Sequence, residues 1–175
     1  YSPLEGGRGV FFISENQSNQ CHQCSILYIA RLMANTPSKY TVLIVDDTPD
    51  NLQLLSNILY QKGVNISIAQ SGKQALNIVA HKPPDLVLLD ILMPEMNGFE
   101  VCKHFKRDPA TKEIPIIFLT AKTRSEDIVK GFDLGAVDYV TKPFNPAEVV
   151  SRVFTHLELK RSYDLISAQK QQLEE

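Results

Sequence analysis

Leu86-Val87-Leu88-Leu89-Asp90-Ile91-Leu92-Met93-Pro94-Glu95-Met96-Asn97-Gly98 is the stretch on which the fold turns. Four apolar residues run without a polar break and stop on a carboxylate. A short continuous apolar run reads as a strand buried on both faces, as in a parallel sheet. Asp90 is then the first residue delivered to the strand's carboxyl end, the rim where ligands and chemistry gather in open α/β sheets. A lone aspartate there would only shape a turn ahead of Pro94 and Gly98. A second strand that ends the same way gives it another meaning.

That strand is Thr41-Val42-Leu43-Ile44-Val45, which stops on Asp46-Asp47. Pro49 follows at a first helical position with Thr48 as N-cap. Leu52, Leu55, Ile58 and Leu59 recur at helical spacing, and Gly63 ends the helix. Asn65-Ile66-Ser67-Ile68-Ala69 reads as a short alternating strand. Ser71 caps a helix bearing Ala75, Leu76, Ile78 and Val79, which halts before Pro83-Pro84. Beyond Gly98, Phe99, Val101, Cys102 and Phe105 mark a third helix, which makes Cys102 a core residue. Ile114-Pro115-Ile116-Ile117-Phe118-Leu119 is a fourth strand that delivers Thr120 at its end. Ser125 caps a fourth helix through Ile128, Val129 and Phe132. Val137-Asp138-Tyr139-Val140 is a fifth strand, and Thr141-Lys142-Pro143 follows it. The last helix begins near Asn145-Pro146 and carries Val149, Val150, Val153, Phe154 and Leu157. Strands alternating with helices need right-handed parallel crossovers, hence a three-layer α/β sandwich. Five such units favour the flavodoxin-like (βα)5 order 2-1-3-4-5.

A chain of 175 residues, 43% hydrophobic and 22% charged, suits one soluble domain with appendages. A net charge of −2 argues against a nucleic-acid partner, and no helix-turn-helix or basic recognition surface is visible. Three cysteines are too few and too unevenly placed for a disulfide framework, which points to a reducing, cytoplasmic setting. No apolar segment is long enough to span a membrane, and no signal-peptide pattern is seen.

The expected boundaries are an extension over 1–38, a core domain over 39–159 and a helical linker over 160–175. The extension is polar and aperiodic, apart from the apolar Ile26-Leu27-Tyr28-Ile29-Ala30-Arg31-Leu32-Met33, which would form a short docking helix. Its Cys21-His22-Gln23-Cys24 lacks the second ligand pair that zinc needs and the preceding strand that a redox motif needs.

In the expected order, strands one, three and four are neighbours. Their carboxyl ends gather Asp46, Asp47, Asp90 and Thr120, and Lys142 joins from the end of strand five. Crowded carboxylates repel unless a cation joins them. Oxygen ligands without His or Cys suit a hard ion, Mg²⁺ in particular. One carboxylate can then act as a nucleophile toward phosphorus, with metal, Lys and hydroxyl neutralising the charge on the transferred group.

Residues 40–159 resemble the receiver domain of two-component response regulators. The pattern lies in Val45-Asp46-Asp47, in Leu89-Asp90-Ile91-Leu92-Met93-Pro94-Glu95-Met96-Asn97-Gly98, in Leu119-Thr120-Ala121 and in Tyr139-Val140-Thr141-Lys142-Pro143-Phe144. The resemblance implies a phosphorylation-dependent switch rather than an enzyme, and a piece of a larger multidomain or hybrid protein. Asp90 would be the phosphoacceptor. Asp47 would bind Mg²⁺ directly, Asp46 largely through water, and Asp90 with the Leu92 backbone carbonyl would complete the protein's share. Lys142 and Thr120 would contact the phosphoryl group, and Tyr139 would be the aromatic that changes rotamer with Thr120. A cis peptide between Lys142 and Pro143 is also implied. The donor would be a sensor histidine kinase or a phosphotransfer protein. Leu92 and Lys122, two residues beyond Asp90 and Thr120, flank the phosphoryl group, and Leu92 has no atom to orient water, which implies slow self-dephosphorylation.

Output would run through the face of the fourth helix, fifth strand and fifth helix, and through the continuing last helix. Leu159, Tyr163, Ile166 and Leu173 there fit 4-3 spacing, with Lys170 at the weak position, a short coiled-coil signal compatible with a homodimer. Two other readings compete. A phosphatase of the haloacid-dehalogenase type also pairs an aspartate nucleophile with Mg²⁺, but it needs a second aspartate where this chain has Leu92. A flavodoxin-like cofactor binder needs hydroxyls and glycine where Asp46-Asp47 would repel a flavin phosphate.

Overall fold

The computed structural model describes residues 40–121 and 125–173, with the side chains of 125–127 and 173 left aside. The extension over 1–38, with Cys21, Cys24 and the apolar segment 26–33, therefore lies outside the described residues, as do Lys122 and the hydroxyl of Ser125. Five strands form the centre: β1 (Thr41–Val45), β2 (Asn65–Ala69), β3 (Leu86–Asp90), β4 (Ile116–Thr120) and β5 (Asp138–Thr141). They pair in parallel in the order β2-β1-β3-β4-β5. Five helices connect and follow them: α1 (Pro49–Tyr60), α2 (Gly72–His81), α3 (Gly98–Arg107), α4 (Ser125–Asp133) and α5 (Pro146–Leu173). The expected flavodoxin-like order is the observed one.

The apolar runs explain the three layers. Along β3, Leu86 and Leu88 join one core with Leu55 and Leu59 of α1 and Val149, Val153 and Leu157 of α5. Val87 and Leu89 point the other way, into a second core with Val79 of α2 and Val101 and Phe105 of α3. Period-two alternation with both faces apolar is what buries a strand twice. Cys102 belongs to the second core, where burial pushes its thiol up to about 11, so its role is packing.

Local signals set most boundaries, and several of them differ from the sequence reading. The Ser71 hydroxyl accepts the Gln74 N–H at 3.3 Å, as a cap should. Gly63 leaves α1 with a φ of 76°. Thr48 does occupy the N-cap position of α1, but its hydroxyl caps nothing. Its own N–H is instead taken by Asp46 Oδ1 at 2.9 Å. The cap the sequence reading overlooked is Asn97, which forms a reciprocal capping box with Glu100 at the start of α3. The alternation expected of β2 is incomplete, because Ile66 is only half-buried and Ile68 is 49% exposed. β2 is an edge strand with a single neighbour, so little covers it. β4 starts at Ile116 rather than Ile114, since Pro115 has no N–H for a ladder and contributes only its carbonyl, to Val87.

The last helix runs unbroken over 28 residues, from the Asn145 side chain that accepts the Ala147 N–H at 2.9 Å to Leu173. Leu157 is its final fully buried anchor, and every side chain from Arg161 to Gln172 is exposed. Among the described residues, no helix is long and apolar enough to cross a membrane.

Candidate functional site

The carboxyl ends of the central strands converge as their order requires. Asp46 follows β1, Asp90 ends β3, Thr120 ends β4, and Lys142 follows β5. Asp46, Asp47 and Asp90 offer carboxylate oxygens that all lie within 4.8 Å of one another. Asp46 is fully buried and heavily engaged. Its Oδ1 accepts from the Thr48 N–H at 2.9 Å and from Asn51 Nδ2 at 3.0 Å. Its Oδ2 accepts from Asn51 Nδ2 at 3.0 Å and from Lys142 Nζ at 2.8 Å. Asp47 is exposed and, among the described residues, accepts a long contact of 3.4 Å from the Thr48 hydroxyl. The two adjacent aspartates are thus chemically unlike: one is a braced buried anion, the other faces outward.

Asp90 is 4% exposed, and its Oδ2 lies 3.0 Å from Lys142 Nζ. Burial pushes its carboxyl above the usual aspartate range, with Asp46 adding repulsion, against the Lys142 contact and the Leu92 N–H that pull it down. Burial also opposes the charge on Lys142, but hydrogen bonds to Asp46 and Asp90 outweigh it and raise the ammonium above its ordinary value. One ammonium therefore sits between two carboxylates and balances only part of their charge.

The β3–α3 loop is set by Gly98. Its N–H donates to the Ile91 carbonyl at 3.0 Å, and a Cβ there would fall on the backbone carbonyl of Asp90. The missing side chain lets α3 close down onto the backbone of Asp90 itself. The Leu92 side chain, two residues beyond Asp90, is 56% exposed.

Thr120 is buried, and its carbonyl receives the Lys142 N–H at 2.8 Å, tying the ends of β4 and β5 together. The Lys142–Pro143 peptide is cis. Tyr139 is half-buried on β5. It lines with Thr120, Ile91, Phe118, Gly131 and Phe132 a small cavity of about 10 Å³. The ring meets Phe132 of α4 edge-on, with centroids 6.3 Å apart and planes at 75°.

Asn51 is the residue that sequence reasoning missed. Its amide braces both oxygens of Asp46 from the first turn of α1. Only its place one turn after Asp46-Asp47 could have marked it. The donor set of the cluster is all oxygen, with no imidazole or thiolate, and it carries surplus negative charge, which fits a small hard cation.

The comparisons agree with this geometry. The response regulator receiver domain matches residues 42–154. A Vibrio cholerae protein named "Probable cyclic di-GMP phosphodiesterase" is 48% identical over 167 residues, covering 92% of this chain and 38% of that protein. The DNA-binding response regulator MtrA of Mycolicibacterium smegmatis is 44% identical over 116 residues, 66% of this chain and 50% of that one. The chain thus spans half or less of these curated relatives. Among solved structures, the receiver domain of a signal transduction histidine kinase from Syntrophus aciditrophicus superposes with a TM-score of 0.64 at 34% identity, over 68% of this chain and 90% of that one. The chemotaxis response regulator CheY4 of Vibrio cholerae gives 0.64 at 32% identity, over 67% and 98%. Nothing in these likenesses supports the phosphatase or flavin readings. A parallel sheet in this order, an acidic cluster at its carboxyl rim and a family match over most of the described residues place the chain among the response regulator receiver domains, the phosphorylation-dependent switches of two-component signalling.

Proposed function

We propose that Asp90 is the phosphoacceptor and that the donor is a phosphohistidine on a sensor kinase or phosphotransfer protein. The observation that carries this is the placement of a buried carboxylate 3.0 Å from an ammonium, inside a cluster of three acids. An Asp90 carboxylate oxygen attacks phosphorus, the P–N bond of the donor breaks, and its electron pair stays on the imidazole nitrogen. Lys142 is already placed to hold the negative charge of the arriving group, and Thr120 stands at the next strand end to donate its hydroxyl.

The residues that would hold Mg²⁺ are Asp47 directly, Asp46 largely through water, Asp90 and the Leu92 backbone carbonyl. The contrast between the braced Asp46 and the outward Asp47 supports that division. When bound, the ion supplies charge neutralisation for the phosphoryl oxygens. The exposed Leu92 side chain has no group to orient an attacking water, so reset is slow.

The unit we assign is the receiver over 39–159, with 160–175 as a linker to an effector and an N-terminal extension before both. Phosphorylation would move Thr120 and Tyr139 together and alter the α4–β5–α5 face, with output along α5 or through a homodimer. A cyclic di-GMP phosphodiesterase is the effector we favour. The 167-residue likeness to the Vibrio cholerae protein runs well beyond residues 42–154, whereas the MtrA match covers 116 residues. A domain that accepts a phosphoryl group from a kinase's histidine would work in the cytoplasm, and that is the location we propose.

The test is phosphate uptake from radiolabelled acetyl phosphate with Mg²⁺. The native chain takes up label, and Asp90→Asn, which keeps the fold, takes up none. Label on the Asn variant would assign the acceptor elsewhere.

A further inference from the structure

Arg152 lies on α5, outside the acidic site, and is anchored twice on the β5–α5 face. Its Nη1 donates to Asp138 Oδ1 at 2.7 Å and its Nε to Glu148 Oε1 at 2.9 Å. Two carboxylates from different elements therefore fix both the place and the tilt of the guanidinium. Its central carbon lies 5.6 Å from the centroid of the Tyr139 ring. The same Asp138 Oδ1 accepts the Tyr139 backbone N–H at 2.8 Å, and Asp138 Oδ2 lies 3.3 Å from His156 Nε2. Burial pushes the Asp138 carboxyl up, but Arg152, the Tyr139 N–H and His156 outweigh it and keep the group ionised and below its ordinary range.

The ring is thus held on two sides, by Phe132 from α4 and by Arg152 from α5. On the Thr120 side the ring borders a small cavity that Thr120 also lines. That space is about the size of one water, and Arg152 is not part of its lining. Gly131 borders it, and a Cβ at that position would already press on the Phe118 ring at 3.0 Å.

We infer that Arg152 is a positioning residue of the switch: held by Asp138 and Glu148, its guanidinium clasps the Tyr139 ring and keeps it from moving toward Thr120. The clasp sets how much of the unphosphorylated protein already occupies the active arrangement. Any ligand that needs that arrangement has its apparent affinity reduced by the fraction of protein competent to bind it. The inference rests on the reading of Asp90 as the acceptor, through which the active state is reached.

Beryllofluoride with Mg²⁺, a phosphoryl mimic, reports that fraction through its dissociation constant, measured by calorimetry on the full chain. A cation over an aromatic ring at a partly exposed site corresponds to roughly a two- to five-fold change. Arg152→Gln should therefore tighten binding by that factor, and Glu148→Gln, which frees one edge of the guanidinium, by less. Arg152→Lys, which keeps a cation near the ring, should restore most of the native value. In a Tyr139→Ala background, Arg152→Gln should change nothing. Unchanged or weaker binding by Arg152→Gln would overturn the clasp, and so would an equal gain without Tyr139. If the native chain itself does not bind beryllofluoride, the assignment of Asp90 falls first, and the clasp with it.

Discussion

Asp46 and Asp47 show how much adjacent residues of one type can differ. A carboxylate that accepts from a backbone N–H, an amide and an ammonium has little capacity left, so Asp46 is spent on holding the site together. Asp47, outward and lightly bonded, keeps its lone pairs for something from solvent. Gly98 is a third case, where the function of a residue is to be absent. Because a Cβ would strike the Asp90 carbonyl backbone, relief requires α3 to back away from β3. Gly98→Ala should cost about 2–3 kcal/mol, the scale of forced overpacking. Urea unfolding would show it as a lower midpoint, and phosphate uptake should fall with it, because Asp90 shifts too. A variant as stable as the native chain would mean that the loop relaxes freely.

Elements are stitched together by a few such contacts, and the β5–α5 pair is the clearest. Asp138 on β5 holds Arg152 and His156 of α5, and its carboxyl is held below the aspartate value of 3.8 despite burial. A group whose pKa is depressed by folding contributes stability above its unfolded value and loses it as pH falls through the folded one. Asp138→Asn should therefore lower stability at neutral pH by about 1 kcal/mol, the range of a partly exposed ion pair. The gap to the native chain should close as pH drops below 3.8, which thermal melts at stepped pH would read. A gap that stayed constant with pH would point to packing rather than charge. The last helix divides sharply by the same kind of reasoning. Leu157 is fully buried between sheet and helix, whereas Ile166 is 62% exposed. Leu157→Ala should cost about 2–5 kcal/mol and Ile166→Ala close to none, compared by the same denaturation series. A measurable loss at Ile166 in dilute protein would reveal a contact beyond the described core.

For the molecule as a whole, the sheet order and the convergence of Asp46, Asp90, Thr120 and Lys142 were legible because both follow from apolar runs that stop on polar residues. Topology then does the gathering, and the sequence needs only to be cut correctly into strands. What stayed hidden depends on side-chain direction. Asn51 carries no chemical signature, and only the turn of α1 brings its amide under Asp46. Arg152 and Asp138 are fourteen residues apart, and nothing in their spacing tells that the β5–α5 connection folds one onto the other. Thr48 is the N-cap in position but not in side-chain bonding, for a related reason. The sequence showed a good capping residue, but the buried Asp46 takes its N–H and leaves the hydroxyl outside the helix. The half-exposed Ile68 shows that an apolar strand is fully buried only where a neighbour lies on each side.

The unbroken course of α5 has a mechanical consequence. At about 1.5 Å of rise per residue, Leu173 lies roughly 24 Å along the axis from Leu157, the last fully buried residue of the helix. A stiff rod held at one end is a lever. A tilt of roughly 5° at the grip sweeps the far end through about 2 Å, as large as the helix displacements by which protein interfaces change state. A side-chain rearrangement too small to disturb the sheet is thus enlarged at the tip of the arm, in a direction set by which side of the grip gives way.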